Sequence, residues 1–561
     1  MDYRFLYRGT MNEIERAEVE KIIQQNPHLR EYLESIKDKM DEPKFLKAPP
    51  MELSEEKFPN IIYPTKGNIF VHIYRLPGME EIEYHAIEPT LNEEEKRKKE
   101  KIMKLMLKEV VKKEAPDNDE SLKKVLKELL DEIVVTTESN VRLKSSKLFS
   151  KLFGGEESKI YLTHLEKEKI EYDIFKTLVG GGPLEPFMRD PYIEDIHVIT
   201  GEYVHLIHKV FGMIKTNVMI PKDEAPKFSR ALSEKMGNPV SEAKPISDGI
   251  LPDGSRANII YSSAVSIKGP SMSIRRFTEV PISVTQLIKW KTISAGIAAY
   301  FWICLQYGRN IILCGETACG KTTTMNAFIP FIPPEKKIYT AETTPELKVP
   351  HEVWQRLLTK TTGPEESRVD LFDLVVAALR SRPDYIIPGE VRGAEGNIVF
   401  QAMQTGHPVM TTFHAGSVTK VIQRFTSDPI NVPKTFMDNL DVVLLQSAVE
   451  RRGKKVRRCI SVDEIEGYNR EADGIMARKA FEWDPVEDVH RFVAYKNSYI
   501  LEEKIARNAG YADPTEIYEE FDLRKRILER MVEENILDYY EVVKIIWTYY
   551  REGIDGLPIN V

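Results

Sequence analysis

The sequence predicts an α/β chain: a parallel sheet with helices on both faces, preceded by a smaller α+β domain and a mixed, charged N-terminal region. Three observations carry that expectation. Beyond Pro281, short apolar runs alternate with helix-length segments, the texture of a parallel sheet with crossover helices. The apolar run Asn310–Cys314 leads into Gly315-Glu-Thr-Ala-Cys-Gly-Lys321-Thr322, which fits G-x-x-x-x-G-K-[ST]. Four strand candidates each finish on a reactive residue, as expected where a ligand sits beyond the carboxyl ends of parallel strands.

The elements follow in order. Pro27 interrupts a helical stretch between Glu13 and Ile36. Strands are expected at Asn60–Tyr63, Asn68–Tyr74 and Ile82–Ala86, with turns at Gly67 and Pro77-Gly78. A Lys/Glu-dense helix covers Asn92–Glu114, Ala115–Asp119 breaks it, and Ser121–Glu132 starts another; such charge runs read as solvated faces. Ile170–Val179 is helical, and Ile196–Ile199 and Tyr203–Ile207 flank Gly201 as a hairpin would. A helix over Glu224–Met236, the turn-rich Ile246–Arg256, and strands at Ala257–Tyr261 and Ser271–Phe277 complete an α+β unit ending near Pro281. The parallel strands are 310–314, Lys337–Ala341, Tyr385–Pro388 and Val409–Phe413, and helices return at Glu516–Glu534 and Tyr539–Tyr550. The expected divisions are therefore a variable N-terminal region over 1–165, an α+β domain over 166–281, the parallel-sheet domain over 282–500 and a C-terminal helical segment over 501–561.

Composition narrows the function. A chain of 561 residues exceeds one core. A net charge of −8 gives no basic field, so no nucleic acid is expected as a partner. The cysteines Cys304, Cys314, Cys319 and Cys459 form no C-x-x-C pair, which fits a reducing cytoplasm. The charged N-terminus lacks a signal-peptide core, and the longest apolar stretch, Ile293–Leu305, is too short to span a bilayer. Membrane association is expected only through partners.

A strand feeding a glycine loop feeding a helix aims backbone N–H groups and a positive helix end at one point. Gly315 and Gly320 let the backbone approach phosphates, and Glu316, Thr317, Ala318 and Cys319 form the cradle between them. Lys321 is placed to reach the β- and γ-phosphates, the Thr322 hydroxyl to hold Mg²⁺, and Thr323 to continue the first turn. The pattern implies bound ATP with Mg²⁺. Hydrolysis also needs an oriented water. Glu390, after an apolar strand, is placed to help hold Mg²⁺, and Glu342, with Glu346 beside it, to polarise the water. His407 and His414 lie seven apart, not a zinc spacing, and read either as neutral groups that bond a phosphate or carboxylate or as two loop histidines. Arg256, Arg275 and Arg276 lie upstream among turns and a strand edge, either as surface ion-pair partners or as arginines lent to phosphoryl transfer from another domain or subunit.

These segments resemble a family. Gly315–Thr324, Leu379–Gly393 and Ala402–Ala415 are similar to the Walker A, Walker B and histidine boxes of the type II/IV secretion ATPase superfamily, and Thr340–Glu346 to its aspartate box. Gly182–Ile196 and Leu251–Arg256 resemble its N-terminal domain. Within it, Asp428–Leu440 is most similar to the archaeal branch, the archaellum (archaeal flagellum) motor and assembly ATPases. The resemblance implies a RecA-like P-loop NTPase domain over 282–500. It also implies a homo-hexamer at the cytoplasmic face of a polytopic membrane platform protein, with accessory filament-assembly proteins. Arg256, Arg275 and Arg276 would complete the pocket, partly from a neighbour. Three departures stand out: Ala318-Cys319 where Gly-Ser or Ala-Ser is usual, Thr343 where the aspartate box has its acid, and Pro388 within the Walker B strand. A secretion or pilus ATPase of another type II/IV system, a nucleic-acid translocase on a similar ring, and a scaffold with an unhydrolysed nucleotide stay open.

Overall fold

The computed structural model describes residues 14, 16–50, 53–54, 56–111, 113, 119–137, 159–277, 280–360, 364–451 and 454–561. The chain forms two compact units, Met1–Thr278 and Glu279–Val561. The helix start at Glu13 and the break over 115–118 lie outside the described residues.

The first unit is built on one ten-stranded sheet. Its N-terminal strands are β1 (Lys44–Phe45), β2 (Asn60–Pro64), β3 (Phe70–Tyr74) and β4 (Glu83–Ile87). A separate two-stranded parallel pair, β5 (Val134–Thr137) and β6 (Ile160–Thr163), lies beside helices Glu93–Val110, Asp119–Ile133 and His164–Leu178 around a core with Ile102, Leu129, Leu162 and Ile170. The large sheet continues with β7 (Ile193–Ile199), β8 (Tyr203–His208), β9 (Gly212–Met219), β10 (Ile246–Ile250), β11 (Arg256–Ile260) and β12 (Ser271–Arg275), in the order 1-2-3-4-9-8-7-12-11-10.

Two expectations change here. The boundary at 165/166 does not separate two sheets, because β4 pairs in parallel with β9 through Glu83–Lys215 and Tyr84–Thr216. A buried carboxylate fastens the two segments: Asp190 accepts from the Tyr63 hydroxyl at 2.7 Å and the Tyr84 hydroxyl at 2.9 Å. The turn-rich Ile246–Arg256 also contains a strand, since Ile246–Ile250 pairs antiparallel with Arg256–Ile260 around the turn at Gly254. The charged helix is only partly solvated. It buries Ile102 and Met106, and Lys98 and Lys99 pair with Glu166 and Asp173, each at 2.5 Å.

The second unit carries β13 (Ile311–Gly315), β14 (Ile338–Glu342), β15 (Trp354–Leu358), β16 (Tyr385–Pro388), β17 (Glu390–Val391), β18 (Met410–Phe413), β19 (Val442–Arg451), β20 (Lys454–Asn469), β21 (Gly474–Asp484) and β22 (Val489–Phe492). Strand β13 has parallel partners on both sides, Cys314 pairing with Phe413 of β18 and with Leu445 of β19. A parallel bridge, Ile386–Val409, joins β16 to the start of β18. The parallel order is therefore 15-14-16-18-13-19, with 20, 21 and 22 added antiparallel. One strand, β18, separates the glycine-loop strand from the strand leading to Glu390, the order of a RecA-like domain.

Side-chain alternation packs both faces. Ile311 and Leu313 join the core that holds helices Ala295–Gln306 and Lys321–Phe328, whereas Ile312 and Cys314 join the core under helices Leu371–Ser381, Glu395–Gln404 and Val418–Thr426. Strands covered on both faces read as continuous apolar runs, which is why they were legible. The helix from Ala295 is buried throughout to Leu305, as its sequence requires. The helical segment 501–561 packs on the same unit: helices Ile517–Glu533 and Tyr539–Glu552 share that helix's core. Arg524, 1% exposed, lies 5.1 Å from the Trp302 ring and 5.6 Å from that of Tyr549, inside cation–π range.

Glu464 on β20 is fully buried and anchors the start of the π-helical segment Tyr499–Ala506. Its Oε1 accepts from the Tyr300 hydroxyl (2.9 Å) and the Ser498 hydroxyl (2.5 Å), its Oε2 from the Tyr499 and Ile500 amides (2.8 and 3.4 Å). An orphaned buried donor costs about 1–3 kcal/mol. Glu464→Leu is therefore expected to lower the melting temperature substantially and Glu464→Gln by less, as differential scanning calorimetry would show; equal melting of all three chains would contradict the anchoring role.

Candidate active site

All the parallel strands of the second unit present their carboxyl ends on one edge, so the glycine loop after β13, Glu342 at the end of β14, Glu390 beyond β16 and His414 after β18 emerge together. The loop's shape is dictated by its neighbours. A Cβ on Gly315 would lie 2.1 Å from the Gln446 carbonyl oxygen, so no side chain fits there. Gly320 holds φ +96° and caps the helix Lys321–Phe328 with no side-chain acceptor. That leaves the positive end of the helix open to an anion. Ala318 sits at φ +62°, a left-handed conformation that costs a residue with a Cβ about 1 kcal/mol. Cys319 is buried, and burial pushes its thiol pKa up, so this departure supplies a packed neutral thiol.

Lys321 is 7% exposed and donates to the carbonyls of Gly315 (3.1 Å) and Glu316 (2.9 Å). Its Nζ also lies 3.4 Å from His414 Nδ1. An ammonium only donates, so Nδ1 accepts and the imidazole proton sits on Nε2. Burial, then the Lys321 charge, lowers the His414 pKa, which keeps the ring neutral. Nε2 in turn lies 2.6 Å from Glu390 Oε1, a contact whose geometry falls short of a hydrogen bond. Arg392 donates to Glu390 Oε2 at 2.5 Å.

Glu342 is 2% exposed. Its Oε1 accepts from the amides of Glu346 (2.8 Å) and Leu347 (2.7 Å), fixing the turn that contains Thr343. Oε2 has no hydrogen bond and lies 3.6 Å from Arg356 Nε. Burial raises the Glu342 pKa to about 6, against the two amides and Arg356, which lower it. Glu346 is exposed, and its backbone carbonyl accepts from Asn326. Pro388 ends β16, and the next amide, Gly389, donates to Ala341 at 2.9 Å, so the proline's missing N–H falls where the pairing hands over.

One expected site residue belongs elsewhere. His407 precedes β18 while His414 follows it, and seven residues of extended chain span ~23 Å. His407 therefore lies at the amino-terminal edge of the sheet, bonded to the Thr405 hydroxyl at 3.0 Å. Arg256, Arg275 and Arg276 belong to the first unit; Arg256 lies 3.6 Å from Asp248, and Arg275 donates to Asp195 at 3.1 Å.

Several contributors have no motif. Arg457 on β20 donates to the Ala318 carbonyl (3.3 Å), Arg424 to that of His414, and Arg356 faces Glu342. Gln446 is 1% exposed, and a lone amide following the apolar Val442–Leu445 was the available signal that a buried partner awaited it. Among the described residues no group of three His, Cys, Asp or Glu side chains is arranged around a metal position.

A glycine loop on an uncapped helix, at the carboxyl edge of a sheet in this order, defines a P-loop nucleotide-binding domain. Residues 192–545 match the family described as type II/IV secretion system protein, and the chain belongs to that family of secretion ATPases. A Methanocaldococcus jannaschii protein, itself described as uncharacterized, is 52% identical over 548 residues, 97% of this chain and 99% of that one. The type IV secretion system protein VirB11 of Bartonella henselae is 27% identical over 280 residues, 44% of this chain and 78% of that one. Among solved structures, the Legionella pneumophila ATPase DotB aligns at 18% identity and a TM-score of 0.38, over 65% of this chain and 94% of that one. No helix among the described residues is long and apolar enough to cross a membrane.

The raised Glu342 pKa has a stability consequence. A carboxyl whose folded pKa exceeds its unfolded value contributes stability below the unfolded pKa and loses it as pH rises through the folded one, here between about 4.5 and about 6. Glu342→Gln, which mimics the protonated group, should therefore gain stability relative to the parent chain as pH rises from 5 to 7.5, by about 1–2 kcal/mol. Paired melting curves across that range check it, and a pH-independent difference would contradict the burial of this charge.

Proposed function

We propose that this protein is a Mg²⁺-dependent ATPase whose hydrolysis drives a type IV pilus-like filament, most specifically the archaellum, from the cytoplasmic face of the membrane. The observation that carries the reading is the meeting of Lys321, His414 and Glu390 beside a glycine loop whose helix end is uncapped. Lys321, now resting on two loop carbonyls, would exchange them for phosphate oxygens. The Thr322 hydroxyl and a Glu390 oxygen are hard donors of the kind Mg²⁺ takes alongside substrate phosphates, and no larger cage is needed. Bound there, the ion would offset negative charge on the phosphates. Glu342 keeps a buried oxygen free of hydrogen bonds, suited to polarising a water, with Glu346 nearby in sequence. His414, neutral and proton-bearing at Nε2, would hold Glu390 in place.

In this reading the protein is a homo-hexamer, and Arg256, Arg275 and Arg276 supply further cationic charge to the transferring phosphate, partly from a neighbouring subunit. Membrane contact runs through a polytopic platform protein and accessory filament-assembly proteins. The archaeal assignment is supported by the Asp428–Leu440 resemblance and by the extent of the match to the archaeal relative, against 44% of the chain for VirB11. A second reading, an ATPase of another type II/IV secretion or pilus system, is favoured equally by the family match.

Lys321→Ala is expected to lower Mg²⁺-dependent phosphate release by roughly 100-fold or more, and Arg256→Ala to lower turnover with little change in nucleotide binding. Full hydrolysis by the Lys321 variant would overturn the ATPase reading. Stimulation of phosphate release by the archaellum platform protein, but not by a secretion or pilus platform, separates the two machines.

A further inference from the structure

We propose that Gln446 is a positioning residue that sets the nucleotide-binding shape of the glycine loop, an inference that rests on the nucleotide-binding reading above. Gln446 lies on β19 beside Gly315, its register partner, and is almost fully buried. Its Nε2 donates to the Cys319 carbonyl at 2.7 Å, and its Oε1 accepts from the Thr324 hydroxyl at 2.8 Å. The orientation of the amide is unambiguous: a backbone carbonyl only accepts, so the nitrogen faces Cys319 and the oxygen faces Thr324. One side chain thus ties the last part of the loop to the first turn of the helix it feeds.

Three further observations place Gln446 in the loop's geometry. A Cβ on Gly320 would lie 2.9 Å from the Gln446 Nε2, so the loop glycine and the glutamine occupy complementary space. A Cβ on Gly315 would meet the Gln446 backbone oxygen, so both glycines of the motif are matched to this one residue. Opposite it β20 bulges, Leu445 pairing with Ser461 and Gln446 with Cys459, which leaves Ile460 out of register. Bulges re-aim side chains next to sites of function. The carbonyl that Gln446 holds also matters for direction. Holding Cys319 O fixes the plane of its peptide, whose other end, the Gly320 N–H, points the opposite way. Both ends of the Gln446 amide are committed to Cys319 and Thr324, so it acts through the peptide it orients.

The test uses the full-length chain, a fluorescent ATP analogue and steady-state phosphate release. Gln446→Met, of similar volume, is expected to raise the Kd and the KM for ATP about tenfold with kcat changed less than threefold, a split that a general loss of folding would not produce. Thr324→Val, which removes only the hydroxyl, should raise Kd in the same way, the double variant should be no worse than either single one, and Thr324→Ser should bind like the parent. Unchanged Kd in Gln446→Met, additive losses in the double variant, or a Kd that rises only in step with a falling melting temperature would each overturn the proposal. If the parent chain binds no nucleotide, it is the nucleotide reading that fails.

Discussion

A strand with parallel partners on both flanks governs the second unit. Because β13 pairs with β18 on one side and β19 on the other, its end, and theirs, must open on the same edge. Each neighbour then delivers something different to one place: β13 the glycine loop, β18 His414, β19 Gln446. The next strands out add Glu390 and Glu342. None of these side chains is close to another in sequence, and no local signal brings them together. Their proximity follows from strand direction alone, and the apolar residues that bury β13 on both faces hold that direction fixed.

The same constraint explains what could be read from the sequence and what could not. Strands covered on both faces announce themselves as apolar runs, and the residue that ends each run is at the carboxyl edge; Lys321, Glu342, Glu390 and His414 were legible for that reason. His407 was misplaced because a motif records order along the chain and not direction across the sheet. It sits at the wrong end of a strand only four residues long. The strand Ile246–Ile250 contains Ser, Asp and Gly, which locally favour a turn, and it forms because β11 offers it a full register of partners. The union of residues 60–87 with the main sheet of the first unit rests on Asp190 and two tyrosines more than a hundred positions away, and no local pattern carries that. Arg524 lies likewise far in sequence from Trp302, and with Ile517, Phe521, Leu528 and Ile545 it packs 501–561 into that core.

The long antiparallel arm, β19 to β22, had no motif at all, yet two of its residues hold the loop. Gln446 bonds the Cys319 carbonyl, and Arg457 on the next strand bonds that of Ala318. A phosphate loop is mostly backbone, and backbone shape is set by whatever accepts or donates to its peptides. Residues that do so need only polar groups in the right position, so no motif marks them and their sequence context is ordinary. Such contacts can be found only once the strands are in register.

Two buried glutamates in this unit differ in how completely hydrogen bonding closes their environment. Both have pKa values raised by burial. Glu464 spreads four donors over its two oxygens, so its charge is matched on every side and its environment is closed. Glu342 commits one oxygen to two amides and leaves the other bare, with Arg356 at 3.6 Å, near enough to steady the charge and too far to bond it. A bare buried oxygen costs free energy that a fully bonded one does not. The fold offsets that cost elsewhere, and what it retains is an acceptor already stripped of competing donors at the edge where the glycine loop opens. That is the condition a water-polarising base requires, and it fits the role proposed for Glu342; Glu390 also has an unbonded oxygen, but His414 Nε2 stands 2.6 Å from it and Arg392 occupies the other.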